Sequence, residues 1–293
     1  MDPAAVPATV PAADAPFPGA GVLVLAGTPL GRVSDASPGL AAVLTAADVI
    51  AAEDTRRFHR LVTDLGVTVR GSVVSYYEAV EQSRIPALIG QLQQGLTVVL
   101  VTDAGMPSVS DPGYRLVAAA AAAGVRVTSV PGPSAVLTAL ALSGLPSDRF
   151  TFEGFPPRKP GARRSALLEL AGERRTMVFF ESVHRLDETL AAMVDVFGAD
   201  RPAALCRELT KTYEEVRRGT LGEITAGAGD VRGEVTLVIA GASGAVDQEV
   251  TDEQLAAEVA ELVGGGASRK DAVGEIAARR GLPRRRVYDA AHR

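Results

Sequence analysis

Five short apolar runs, at residues 22–26, 48–52, 73–76, 97–102 and 125–130, recur through the first 130 residues. Helix-compatible stretches such as 84–94 and 114–123 lie between them. This alternation constrains the fold more than any other feature of the chain. Strands that alternate with helices predict a largely parallel sheet covered on both faces. Gly95 and Gly124 stand where a helix would end before the next strand. The expected fold class is α/β.

A second α/β region follows, with strand candidates at 150–154, 176–180, 203–207 and 235–240. The turn Val130-Pro131-Gly132-Pro133 is the natural border between the two regions. The expected organisation is a disordered Ala- and Pro-rich tail over 1–20, one α/β domain over 21–131, a second over 132–243, and a helical region over 244–293. In that last region Thr251-Asp252-Glu253-Gln254 reads as a capping box, with Leu255, Val259, Leu262 and Val263 on one helix face. Gly264-Gly265-Gly266 reads as a break, Ser268 as the cap of a second helix ending at Gly281, and Pro283 as the opening of a third.

Composition removes several function classes. The single cysteine, Cys206, excludes a disulfide framework and a multi-cysteine zinc site. The three histidines are far apart in sequence, so no metal site is expected. The first twenty residues lack the basic and apolar segments of a signal peptide, and the Ala run 118–123 is too short to span a bilayer. The expected compartment is the cytoplasm, with no membrane partner. A net charge of −5 argues against a protein that simply coats nucleic acid. The charge is uneven, however. Residues 268–293 carry eight Lys/Arg against three acids, a balance of +5 that leaves −10 for the rest. An acidic body with basic patches can still bind RNA locally. The glycine break makes a hinge, the helices after it have few apolar residues, and the +5 balance is concentrated there. The tail is therefore expected to be an RNA-docking appendix; the alternative is that these helices pack on the second domain with their arginines solvated.

Several strand-end loops carry the chemistry. Gly27-Thr28-Pro29-Leu30-Gly31 follows the first strand. It has neither the spacing of a dinucleotide fingerprint nor the lysine of a P-loop, but it sits where open α/β sheets bind ligands. Thr102-Asp103-Ala104-Gly105-Met106-Pro107-Ser108-Val109-Ser110-Asp111-Pro112-Gly113 follows the fourth run. Its small residues leave room for a flat ligand, and its amides can face adenine or a carboxylate. Read alone, Asp111 is best placed to cap a helix opening at Pro112. Pro131-Gly132-Pro133-Ser134-Ala135 is another strand-end loop that opens a helix. The second half adds Phe152-Glu153-Gly154-Phe155, Glu181-Ser182-Val183-His184-Arg185 and Arg207-Glu208-Leu209-Thr210-Lys211.

In this order, and with Ala52-Glu53-Asp54-Thr55-Arg56, these segments resemble the tetrapyrrole methylase superfamily, and more narrowly its ribosomal RNA small subunit methyltransferase I branch. The resemblance spans about 22–241. The chain departs from the family pattern at Met106, Val183, Tyr77 and Val80.

The resemblance implies two α/β domains with a cleft that binds S-adenosyl-L-methionine, and a homodimer. It also implies methyl transfer to the ribose 2′-oxygen of a cytidine in the decoding region of 16S ribosomal RNA, naked or in the small ribosomal subunit. The implied cofactor residues are Pro29, Asp103, Ala104, Gly105, Pro107, Ser110, Asp111, Gly113, Ser134, Ala135, Glu153 and Gly154. Removing a proton from a hydroxyl needs a base or a charge-stabilising partner. Asp54, Glu181, Arg207 and Lys211 are the polar candidates, a lysine serving as base if its pKa is depressed. Arg56, Arg57 and Arg60 form one cationic cluster. Arg158, Lys159, Arg163 and Arg164 form another, in a Pro/Gly-rich segment that reads as a phosphate-binding arm. Phe58, Tyr76 and Tyr77 are candidates to stack on a nucleotide, with packing favoured for Phe58. Two rivals remain: a small-molecule tetrapyrrole methyltransferase, and a non-catalytic nucleic-acid-binding protein that uses the tail as a helix-turn-helix.

Overall fold

The structure is a computed structural model that describes residues 21–229, 231–242, 251–265, 267–280 and 282–292. The tail expected over 1–20, together with Gly266, Gly281 and Arg293, lies outside the described residues. Two compact units are present: Met1–Ala171 with Arg175–Ala240, and Gly172–Arg174 with Gly241–Arg293.

The first unit holds two five-stranded sheets. In the first sheet β1 (Val22–Ala26), β2 (Val49–Ala52), β3 (Ser72–Ser75), β4 (Thr97–Val101) and β5 (Arg126–Val130) run parallel in the order β3-β2-β4-β1-β5. Alternate residues of the central strands point to opposite faces. Val22, Val24, Val99 and Val101 join Leu40 and Leu44 of α1 (Pro38–Ala46) and Phe58 and Val62 of α2 (Thr55–Asp64). Leu23, Val98 and Leu100 join Leu88 and Leu92 of α3 (Glu78–Gln93) and Leu116 of α4 (Tyr114–Ala122). Helices on both faces explain why these strands read as continuous apolar runs.

The second sheet is mixed, in the order β6-β7-β10-β8-β9. Its strands are β6 (Phe150–Gly154), β7 (Thr176–Ser182), β8 (Pro202–Arg207), β9 (Glu215–Thr220) and β10 (Glu234–Ile239). Only β6 and β7 are parallel. One face packs on α6 (Pro160–Glu169), α7 (Leu186–Phe197) and α8 (Leu221–Ala226) through Leu167, Leu190, Met193 and Ile224. The other packs on α5 (Ala135–Ser143) through Val136, Ala139 and Leu140. Strand β9 was not anticipated. Its sequence, Glu-Val-Arg-Arg-Gly-Thr, has one apolar residue, as suits an edge strand with little to bury.

The second unit contains α9 (Asp252–Gly264), α10 (Arg269–Arg280) and α11 (Arg284–Ala290). Thr251 and Gln254 form the expected capping box, and the Ser268 hydroxyl accepts from the Asp271 amide. Pro283 is the N-cap of α11. Leu255, Val259, Val273, Ile276 and Val287 meet in one cluster, so the three helices share a small core that the sparse apolar pattern did not anticipate.

One close approach sets the spacing of the strand-end loops. The Gly27 and Gly132 backbones lie so near each other that a Cβ on Gly27 would stand 2.6 Å from the Gly132 Cα. The Gly27 amide also donates to the Val130 carbonyl at 2.9 Å. Gly27→Ala is expected to destabilise the chain by about 1–3 kcal/mol, since backbone cannot yield as a side chain does. Gly90, inside α3 with open space where its Cβ would be, gives the opposite sign. Gly90→Ala should stabilise by about 0.5–1 kcal/mol. Urea denaturation midpoints of the two variants check both.

Candidate active site

Loops after β1, β2, β4 and β5 converge at the carboxyl ends of the first sheet, where open α/β sheets bind ligands. Opposite them stands the face of the second sheet that carries Phe180 and Thr236. Between lies a cavity of about 450 Å3 lined by both, a size typical of small-molecule sites. The first sheet contributes Leu30, Glu53, Arg57, the segment Asp103–Met106, Ser110, Asp111, Ser134 and Ala135. The second contributes Phe155, Glu181, His184 and Glu234.

The loop after β4 is held at both ends. Thr28 and Gly105 exchange backbone hydrogen bonds of 2.8 and 3.1 Å. At the far end the Gly113 amide donates to the buried Glu81 carboxylate at 2.9 Å, and the Tyr76 hydroxyl donates to the same oxygen at 3.1 Å. Between these anchors Ser108 and Ser110 have positive φ, 72° and 63°. The remaining non-glycine residues with positive φ among those described are Glu208 and Thr210, in a second loop. The Thr210 hydroxyl accepts from the Arg32 amide at 3.4 Å, so that second loop braces the first strand-end loop. Such backbone costs about 1–3 kcal/mol per residue and persists where the surroundings over-determine it. Helix α4 begins at Tyr114 with Gly113 at its N-cap and no side-chain cap. Asp111 therefore does not cap it, contrary to the reading from sequence. Its carboxylate lines the cavity.

The cavity is acidic. Burial, together with the charges of Glu53, Asp103 and Glu234, pushes Asp111 up to about 7. Burial also raises Glu53. Asp103 pairs with Arg57 at 2.9 Å, Glu181 with Arg185 at 2.6 Å and Glu234 with Lys211 at 2.9 Å. Glu53 and Asp111 form no ion pair among the described residues. Two raised carboxylates without a cation make this cavity favourable for a positively charged ligand.

The expected site residues divide. Asp103, Ala104, Gly105, Ser110, Asp111, Ser134 and Ala135 line the cavity; Pro29, Pro107, Gly113, Glu153 and Gly154 do not. Gly154 closes a bulge in β6, and a Cβ on it would come within 3.9 Å of the Ser110 hydroxyl. Of the four catalytic candidates, Glu181 alone lines the cavity. It accepts from Thr189 at 2.6 Å as well as from Arg185. Asp54 is the N-cap of α2, held down to about 2 by its bond to Arg56 and by the Arg56 and Arg57 amides. Arg207 pairs with Glu215 at 2.6 Å. Lys211 corrects a specific expectation. Burial alone would depress its pKa, but the carboxylates of Glu234 and Glu208 outweigh burial and raise it, the direction opposite to the one a lysine base needs.

The cationic clusters divide as well. Arg57 faces the cavity, while Arg56 and Arg60 are exposed beside Asp54 and Asp64. The basic segment is not an irregular arm. Lys159 is the N-cap of α6 and Pro160 its first residue. Arg163 turns inward, 3% exposed, and pairs with Glu188 at 2.9 Å. It is withdrawn from the phosphate-binding set, and Arg158, Lys159 and Arg164 remain exposed. Phe58 is buried, as packing predicts; Tyr76 is fully buried, and Tyr77 is 45% exposed. Sequence reasoning passed over Glu53, His184 and Glu234. Glu53 and His184 both lay inside motifs already singled out, and the histidine was weighed only as a metal ligand.

Asp111 yields a pH dependence. Its ordinary value is 3.8, so between there and about 7 the folded chain holds a proton that the unfolded chain has lost. Stability from this group is fully present below the lower value and lost as pH rises through the upper one. The ligand-free Asp111→Asn variant should melt above the native chain at about pH 8 and together with it at about pH 4. Circular-dichroism melts across that range check this.

The family model for tetrapyrrole (corrin/porphyrin) methylases matches residues 22–225. A protein of Mycobacterium bovis named ribosomal RNA small subunit methyltransferase I is 54% identical over 92% of this chain and 94% of its own length. A protein of the same name from Halalkalibacterium halodurans is 41% identical over 93% and 95%. Among solved structures, uroporphyrin-III-C-methyltransferase from Thermus thermophilus covers 75% of this chain and 94% of its own at a TM-score of 0.54 and 23% identity. A cobalt precorrin-4 methyltransferase covers 75% and 94% at a TM-score of 0.57 and 18% identity. Those two likenesses speak to the fold. With two sheets flanking an acidic cavity, a family model spanning both, and relatives aligned over nearly the whole chain, this protein belongs to the tetrapyrrole methylase family, within its ribosomal RNA small subunit methyltransferase I group.

Proposed function

We propose that the chain transfers a methyl group from S-adenosylmethionine to the ribose 2′-oxygen of a cytidine in the decoding region of 16S ribosomal RNA. The observation that carries the reading is the cavity at the strand ends, whose unpaired carboxylates Glu53 and Asp111 suit a cationic ligand. The relatives' name supplies the class of acceptor. When bound, S-adenosylmethionine supplies a methyl group activated by a sulfonium. The residues of the chain then have separate tasks. Glu53 and Asp111 face positive charge, and the small residues Ala104, Gly105 and Ala135 admit a flat ring. Leu30, Met106 and Phe180 give the cavity apolar walls. A 2′-hydroxyl entering from the rim must give up its proton as the oxygen becomes bonded to carbon. His184, on the rim, is the side chain we assign to accept it, imidazole being the commonest general base.

Arg158, Lys159 and Arg164 at the exposed start of α6 are the expected phosphate contacts. We further propose a homodimer working in the cytoplasm. The support for the dimer is the resemblance to the family. No described helix is long and apolar enough to cross a membrane.

Methyl transfer from labelled S-adenosylmethionine to naked 16S RNA, to assembled small subunits and to a tetrapyrrole tests the reading. Label is expected in RNA as 2′-O-methylcytidine; label in the tetrapyrrole alone would overturn it. His184→Gln should lower kcat by about 10²-fold or more while leaving calorimetric cofactor affinity unchanged. Charge reversal at Arg158, Lys159 and Arg164 should raise KM for RNA and flatten its salt dependence, again without effect on cofactor affinity.

A further inference from the structure

The proposed reaction leaves the second compact unit without a task. Within that unit, α10 and α11 enclose an open groove of about 490 Å3. Arg269, Lys270, Arg284 and Arg285 line it, and no acidic residue does. Arg284 lies across α10 and donates to the Lys270 carbonyl at 3.1 Å. It can do so because residue 274 is glycine: a Cβ there would stand 2.7 Å from the Arg284 Nη2. Arg284 thus ties the two helices together and forms part of the groove wall. Arg285 is 93% exposed at its side chain, with Asp289 only at 3.9 Å.

The groove also carries two rings. Tyr288 and His292 stack at 4.0 Å between centroids with planes 24° apart. A hydrogen bond of 2.8 Å between the His292 ring and the Tyr288 carbonyl fixes the pair. The tyrosine nevertheless remains 53% exposed. Cations aligned beside an exposed, oriented ring are the combination that binds single-stranded nucleic acid: charge follows the backbone, and the ring takes a base. A duplex offers no free base face, and an acidic peptide has no use for the ring.

We propose that this groove binds a single-stranded stretch of the RNA substrate, with Arg269, Lys270 and Arg285 on phosphates and a base stacked on Tyr288. The inference rests on the reading that the substrate is RNA. The test uses the full chain and a fluorescent single-stranded RNA of about twelve nucleotides, with anisotropy followed over a range of salt. Each phosphate contact to a single strand contributes about 0.7 to the slope of log affinity against log salt. Replacing Arg269, Lys270 and Arg285 together with serine should therefore lower that slope by about 2. Arg285→Ser alone, at a solvent-exposed position, should lower it by about 0.7 and avoids any question of folding. Tyr288→Leu should weaken binding about tenfold at an unchanged slope. Polyglutamate of equal length should compete at least about tenfold less well than RNA. Unchanged slopes and affinities in these variants, or equal competition by polyglutamate, would overturn the proposal. Methyl transfer by the native chain is measured in parallel. If transfer to RNA occurs while the slopes stay unchanged, the groove fails alone. If no RNA is methylated, the substrate reading fails, and the slopes still report on the groove.

Discussion

Two glycine backbones in contact, Gly27 and Gly132, set the geometry on which the rest of the catalytic unit depends. Their contact brings the loop after β1 against the loop after β5, and the Thr28–Gly105 bridge adds the loop after β4. Three loops far apart in the chain thereby become one continuous floor. A Cβ at either glycine would stand 2.6–2.7 Å from the other's backbone, so the two loops would have to move apart. The same contact lets Leu30 reach the apolar cluster of the second sheet. The floor and the opposing wall of the cavity are thus fixed by one packing constraint.

On that floor the electrostatics follow from which carboxylates find a cation. Arg57 pairs with Asp103, Arg185 with the buried Glu181, and Lys211 with both Glu208 and Glu234. Glu53 and Asp111 are left, and burial makes their charge costly. A cavity in that state gains most from a ligand that brings its own positive charge. The strained Ser108 and Ser110 hold Asp111 against this cost because Glu81 fastens the end of their loop from α3. Rigidity of the loop and poise of the carboxylate are therefore one property seen twice.

Much of this was legible in the residues. The five runs of the first sheet were placed to within a residue or two. The central strands β1, β2 and β4 are nearly continuous apolar runs because both faces are buried, and the edges β3 and β5 keep two valines each. The strand-end loops stood out because tight backbone approach demands Gly and Pro. Strand β9 was missed for the converse reason, an edge strand having little to bury. Asp111 read as a cap because local spacing allowed it, whereas the helix starts too late for that side chain to serve. Arg163 read as a surface cation among its neighbours, yet the start of α6 at Pro160 turns it toward Glu188.

By itself, then, the sequence determined the α/β class, the position of the loops that carry the cavity and the cap of α9. All of these rest on contacts between residues near each other in the chain, where periodicity and turn chemistry decide. Only the tertiary structure decided which charges face the cavity and which are spent. Arg57 meets Asp103 across 46 residues, Arg163 meets Glu188 across 25, and Lys211 meets Glu234 across 23. Nothing in the local pattern distinguishes those cations from free ones. An ion pair depends on where two chain segments come to lie, and that is set by the order of the strands and helices within each sheet's own layer.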